Sequence, residues 1–222
     1  MVMESEWDEK YRPQTLDDIV GQDRVINYYR QWKECGGKPK HAIFKGRCGV
    51  GKTSMAYVIE NEFGVKMMPI NGSADRSLTY FRDTMIPTWK CLPLQGKFRF
   101  IYIDETENML NEAWMVLKSP LEQYKRTVMV VFSCNDDKNI PEAIRSRCEV
   151  FDFAPISKND IVKRLRYIAD QEVYEVENNV LEIIAEKSRG DLRKAVTLLE
   201  DSSKKALEFG KDEFRDMFVI TG

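Results

Sequence analysis

The sequence predicts an α/β fold, a five-stranded parallel sheet with helices on its faces, followed by a small helical domain. Three observations predict it. Short apolar runs rich in Val, Ile, Phe and Tyr alternate with helical segments between residues 41 and 153, the rhythm of βαβ units around a buried sheet. A GxxxxGK[ST] segment follows the first of these runs. After Ala154 and Pro155 no strand-like run of comparable strength remains.

The elements follow in order. The first 40 residues are polar and charged, punctuated by Pro13, Gly21 and Gly36-Gly37-Lys38-Pro39, with an amphipathic helix expected over 23–34. Strands are expected over 41–44, 66–70, 98–103, 127–132 and 149–153. Ser157 is placed to cap a helix running to about residue 172, and apolar spacing of three and four marks a second helix over 176–187. Gly190-Asp191 opens a third, with a short fourth expected at the end. This divides the chain into an α/β domain over 1–154 and a helical domain over 155–222.

Bulk properties narrow the function classes. The 222 residues are 43% hydrophobic, enough for a packed core, and 34 basic residues against 36 acidic leave a net charge of −2. An autonomous DNA-binding domain usually shows a basic excess, so nucleic-acid contact here implies a local patch or several subunits acting together. Cys35, Cys48, Cys91, Cys134 and Cys148 contain no CxxC pair, which reads as reduced intracellular thiols. His41 is the sole histidine, which argues against histidine metal sites and a Ser-His-Asp triad. No run approaches the roughly 20 apolar residues of a membrane span, and the polar, acidic N-terminus is not a secretory signal. A soluble intracellular protein is expected.

Two motifs carry chemistry. In Gly46-Arg47-Cys48-Gly49-Val50-Gly51-Lys52-Thr53, glycines let backbone N–H groups turn toward a triphosphate, and the following helix offers its positive end. Lys52 is expected against the β and γ phosphates of ATP, Thr53 as a ligand of Mg²⁺, and Ser54 at the edge of the same site. Phe100-Ile101-Tyr102-Ile103-Asp104-Glu105 is a hydrophobic strand ending in acids. Asp104 is expected to hold Mg²⁺ and Glu105 to orient the attacking water, since phosphoryl transfer is mostly positioning and charge stabilisation. Alone, such a pair of acids also caps ordinary turns.

Further segments resemble the small subunits of replication factor C and the phage clamp-loader ATPases of the AAA+ class. The likeness begins at Glu9-Lys10-Tyr11-Arg12-Pro13 and continues through Leu16 and Asp18-Ile19-Val20-Gly21-Gln22. It implies that Tyr11, Arg12, Val20 and Gly21 border the adenine. Asn71-Gly72-Ser73 resembles a family segment that approaches DNA, which implies phosphate contacts from Arg76, Arg82 and, further on, Lys138; a solvated helix face is the alternative. Asn135 stands where the family has its first sensor residue. Arg147, in Arg145-Ser146-Arg147-Cys148, matches an arginine that reaches into the neighbouring subunit's ATP site; an ordinary surface ion pair is the alternative. Arg193, in Gly190-Asp191-Leu192-Arg193, matches the second sensor.

The likeness also has departures. Arg47 and Cys48 replace two prolines, and Val50 stands where Thr is frequent. Thr106-Glu107 continues the second motif differently, and Pro120 falls where the family has a helix with paired arginines, so a break or kink is expected there. The third, collar domain of the family is absent from these residues, which leaves a pentamer dependent on a collar supplied elsewhere. The resemblance implies an ATPase subunit that opens a sliding clamp and places it on primer-template DNA, working with other loader subunits. Two alternatives stay open: another DNA-remodelling motor, such as a branch-migration type, and a scaffold subunit that binds ATP without hydrolysing it. Phage, cytoplasmic and nuclear settings are all compatible.

Overall fold

The computed structural model describes residues 7–73, 79–91 and 96–209, with side chains to 204. They form two compact units, one of Pro13–Ala154 and one that joins the N-terminal residues through Arg12 to those from Pro155 onward.

The α/β unit is built on five parallel strands: β1 (His41–Lys45), β2 (Met67–Asn71), β3 (Arg99–Asp104), β4 (Val128–Cys134) and β5 (Cys148–Asp152). Their order in the sheet is β2-β3-β4-β1-β5. Central strand β4 is buried along its whole length, which is why it reads as a continuous apolar run rather than an alternation. Edge strand β2 carries Pro69, exposed and at no cost to an inner ladder. Because all strands run the same way, the ends of β1, β3 and β4 emerge on one rim. That rim is where ligands of open α/β sheets bind.

Helices cover both faces. On one face α2 (Asp23–Glu34) and α3 (Lys52–Phe63) bury Val25, Ile26, Tyr29, Met55, Val58 and Ile59 against Phe44, Phe100 and Val131. On the other, a π-helical turn (Tyr80–Met85), α4 (Ile86–Thr88) and α5 (Asn111–Gln123) bring Phe81, Met85, Trp114, Leu117 and Leu121 against Ile43, Ile101 and Phe132. Truncating a ring such as Trp114 or Phe132 to Ala costs about 3–5 kcal/mol in such a core. Pro120 does not end α5, which continues to Gln123. It sits in the last turn, where only one intrahelical bond is forfeited and the Tyr124 N–H still bonds the Pro120 carbonyl at 2.9 Å.

His41 is a structural residue. Val130 N–H donates to its Nδ1 at 3.0 Å and its Nε2 lies 3.0 Å from the Leu121 carbonyl, so one ring nitrogen accepts and the other donates. That is the neutral tautomer, and burial lowers the pKa to about 4. Burial pushes the Cys134 and Cys148 thiols up to about 12, whereas Cys35, Cys48 and Cys91 are exposed.

The second unit contains α1 (Trp7–Lys10), α7 (Lys158–Gln171), α8 (Asn178–Ser188) and α9 (Leu192–Phe209). Ser157 caps α7 by accepting the Asp160 N–H at 3.2 Å, and Ile161, Leu165, Ile168 and Ala169 form its buried stripe. The third of the expected helices, α9, runs to Phe209; the short fourth one expected at the end of the chain falls in residues 210–222, outside the described residues.

One boundary differs from the sequence expectation. Residues 7–12 group with the helices rather than with the α/β unit. Trp7 N–H donates to Glu200 at 2.9 Å, Lys10 and Tyr11 both reach Glu172 Oε1, and Arg164 donates to the Tyr11 carbonyl at 2.7 Å. Contacts distant in sequence, not chain proximity, decide the membership.

Candidate active site

The 46–51 loop leaves the end of β1 and enters α3 at Lys52. Its first residue must be glycine: a Cβ on Gly46 would lie 2.5 Å from the Phe153 carbonyl oxygen. Lys52 Nζ donates to the Gly46 carbonyl at 2.5 Å and to the Arg47 carbonyl at 2.8 Å. Burial lowers its pKa, with Asp104 acting in the opposite direction. The Arg47 and Cys48 side chains are exposed. The Val50 side chain points into the core, so only its backbone belongs to the loop surface. Gly49 and Gly51 complete the turn with positive φ, and Ser54 follows, half-buried, on α3.

Asp104 ends β3, and its Oδ2 lies 3.4 Å from Thr53 Oγ1. Thr53 Oγ1 is also 3.1 Å from the Tyr102 hydroxyl. Two oxygen donors this close suit one small hard cation whose remaining sites go to phosphate and water. Among the described residues no cluster of three or more His, Cys, Asp or Glu is gathered that could hold a metal.

Glu105 is held in the left-handed region, φ 53°, a conformation non-glycine residues seldom keep without surrounding support. The support is visible. Its N–H donates to Asp104 Oδ1 at 2.9 Å, and Ser73 Oγ donates to its Oε2 at 2.6 Å. Asn108 Nδ2 in turn donates to Ser73 Oγ at 2.7 Å. Gly72 makes this approach possible, since a Cβ there would stand 2.9 Å from the Asp104 carbonyl oxygen. Asn135, just past β4, donates its amide to Glu107 Oε1 at 2.7 Å.

The structure thus brings Lys52, Thr53, Asp104, Glu105 and Asn135 to one rim of the sheet. Other expected residues lie elsewhere. Arg147 follows helix α6 (Glu142–Arg145), its guanidinium donating to the Ala143 carbonyl at 2.6 Å with Glu122 at 3.5 Å; it touches no residue of its own phosphate loop in these contacts. The four residues expected around the base fall two in each unit. Val20 and Gly21 are in the α/β unit, beside a buried Gln22 that donates to the Val50 and Ala154 carbonyls. Tyr11 and Arg12 are in the helical unit, Tyr11 bound to Glu172 and Arg12 3.7 Å from Glu9. Arg193 is also there, half exposed and 3.9 Å from Asp8. Arg82 pairs with Asp83 and Lys138 with Asp136, both on the surface, while Arg76 lies outside the described residues.

Sequence reasoning missed Gln22, Ser73, Tyr102, Glu107 and Asn108 as parts of the site. Each lies within or beside a recognised motif, but its role depends on side-chain direction, for which the sequence carries no signal.

Comparison with known proteins settles the family. Residues 42–156 match the model for the ATPase family associated with various cellular activities (AAA), and residues 163–202 match the RCF1/5-like AAA+ ATPase lid domain. The replication factor C small subunit of Staphylothermus marinus is 32% identical over 100% of this chain and 68% of its own length. The chain belongs to the AAA ATPases, among the replication factor C small subunits. The small subunit of Methanothermobacter thermautotrophicus is 36% identical over 91% of this chain, which spans 64% of that relative's length. The AAA+ fold recurs in the Thermotoga maritima RuvB Holliday junction branch migration motor, with TM-score 0.81 and 20% identity over 95% of this chain and 71% of that one. At that identity the likeness concerns fold alone. Members of the AAA family bind nucleotide, typically with a divalent metal. No helix among the described residues is long and apolar enough to cross a membrane.

Proposed function

We propose that this chain binds and hydrolyses ATP with Mg²⁺ as one subunit of a clamp loader. The observation that carries the reading is the convergence of Lys52, Thr53, Asp104 and Glu105 on one rim of a parallel sheet. Backbone N–H groups of residues 46–51 and the Lys52 ammonium bind the phosphates. Thr53 and Asp104 would hold the metal, which would supply charge stabilisation for phosphoryl transfer. Glu105 orients water from its fixed left-handed perch, and Asn135, held by Glu107, offers a hydrogen-bonding group at the end of β4. The family resemblance assigns Tyr11, Arg12, Val20 and Gly21 to the base and Arg193 to the γ-phosphate.

The relatives named above support the wider role. In this reading several subunits form an intracellular assembly around primer-template DNA and a sliding clamp, with Arg147 completing the next subunit's site. A trans-acting arginine of this kind contributes about 10³ to 10⁵ in rate in analogous ATPases and GTPases. Arg76, Arg82 and Lys138 supply phosphate contacts to DNA. The test is steady-state ATPase activity with and without primer-template DNA and a candidate clamp. Strong stimulation by both together supports a loader; turnover indifferent to both removes the loader reading and leaves a nucleotide-binding subunit of another kind. Processive strand unwinding would instead favour a branch-migration motor.

A further inference from the structure

Asp137 is the most buried carboxylate among the described residues of the α/β unit, 6% exposed. A carboxylate so far from water requires compensating partners, and it has two. Lys45 Nζ lies 3.2 Å from its Oδ1, and Arg145 NH1 lies 2.8 Å from its Oδ2. Arg145 NH2 also donates to the Asp137 backbone carbonyl at 2.7 Å. Asp152, 3.5 Å from the same lysine, adds a second, exposed anion.

The positions of these partners matter more than their charges. Lys45 is the last residue of β1, immediately before the phosphate loop, and the Gly46 N–H is tied to the Cys134 carbonyl at 3.1 Å. Asp137 itself stands two residues after Asn135. Arg145 ends α6, two residues before Arg147. A helix of four residues has no stability of its own in water, so tertiary contacts must fix where α6 sits. Ile144 is buried beneath it, and the bidentate grip on Arg145 sets its remaining freedom. One carboxylate therefore contacts the origin of the phosphate loop, the segment after the sensor strand and the short helix that leads to Arg147.

We propose that Asp137 is a positioning residue for Arg147: by holding Arg145, it sets where the arginine offered to a neighbouring subunit stands. The inference rests on the reading of Arg147 as a trans-acting group. It assigns Asp137 no contact with nucleotide.

Complementation in trans separates the two ideas. An Arg147→Ala chain keeps its own site but donates no arginine; a Glu105→Gln chain donates one but does not hydrolyse. Turnover of the mixture above the sum of its parts measures donation. With Asp137→Asn added to the Glu105→Gln donor only, that excess is expected to fall about tenfold, the scale of a small misplacement of a catalytic group. The donor's affinity for a fluorescent ATP analogue stays within about twofold, a change worth under 0.5 kcal/mol. Should Asp137→Asn fail to fold, Arg145→Gln in the donor cuts the same link from its more exposed side and predicts the same loss. Undiminished excess turnover with either altered donor overturns the inference, as does a parallel loss of the donor's own nucleotide affinity. No excess turnover with the unaltered donor overturns the Arg147 reading itself.

Discussion

Ser73 Oγ donates to Glu105 Oε2 across 2.6 Å, joining the turn after β2 to the end of β3. The carboxylate expected to orient water thus has one oxygen already engaged. The hydrogen bond from the Ser73 hydroxyl occupies that oxygen, which is then not open to a water while the contact holds. We expect Ser73→Ala to raise turnover measured without DNA by about threefold, the equivalent of a modest hydrogen bond. A fall in that rate would show that Ser73 serves Glu105 by holding it in place.

Glu107 accepts the Asn135 amide at 2.7 Å, and its other oxygen is buried with no hydrogen-bond partner among the described residues. Fixing the amide nitrogen fixes the direction of the Asn135 carbonyl oxygen as well. Glu107→Ala is expected to lower kcat about tenfold while KM for ATP stays nearly constant, the pattern of a group that acts after binding. A raised KM with normal kcat would place Glu107 in nucleotide binding.

These two pairs mark the limit of what the sequence discloses. The five strands, helix α2 at Asp23–Glu34 and the Ser157 cap are legible because each depends on local pattern and spacing. The phosphate loop and Asp104 are legible because phosphate chemistry dictates residue types at fixed intervals. Ser73 and Glu107 are opaque because their partners lie 32 and 28 residues away, and nothing local states where a side chain will turn. The same limit misassigned residues 7–12, whose anchors Glu172 and Glu200 sit at the far end of the chain. Pro120 misled in the opposite direction, since a strong local rule met a position in the last helical turn where its cost is small.

Neutral His41 gives stability a pH dependence. Its folded pKa of about 4 lies below the ordinary 6.5, so the unfolded chain takes up a proton that the folded chain refuses. Its contribution is complete above pH 6.5 and is lost as pH falls from there toward 4, amounting to about 3 kcal/mol at most. Urea unfolding between pH 7 and pH 4 measures it. In His41→Gln that part of the slope should vanish; an unchanged slope would assign the effect to carboxylates.

Gly46 tests the close packing beneath the phosphate loop. Its added methyl would stand 2.5 Å from the Phe153 carbonyl oxygen and 2.9 Å from the Phe153 Cβ. Gly46→Ala is expected to lower stability by about 2 kcal/mol, the usual scale of overpacking, and to weaken nucleotide binding at the same time. Thermal unfolding and fluorescent-nucleotide titration read the two effects separately. Wild-type values for both would mean that the loop relaxes freely away from β5.

The unequal treatment of the five cysteines makes this chain easy to label. With Cys134 and Cys148 held as thiols up to a pKa of about 12, maleimide chemistry near neutral pH is directed to Cys35, Cys48 and Cys91. Replacing Cys35 and Cys91 leaves a single dye position inside the phosphate loop, at Cys48. A fluorophore there would sense the arrival of a nucleotide in real time without any engineered cysteine.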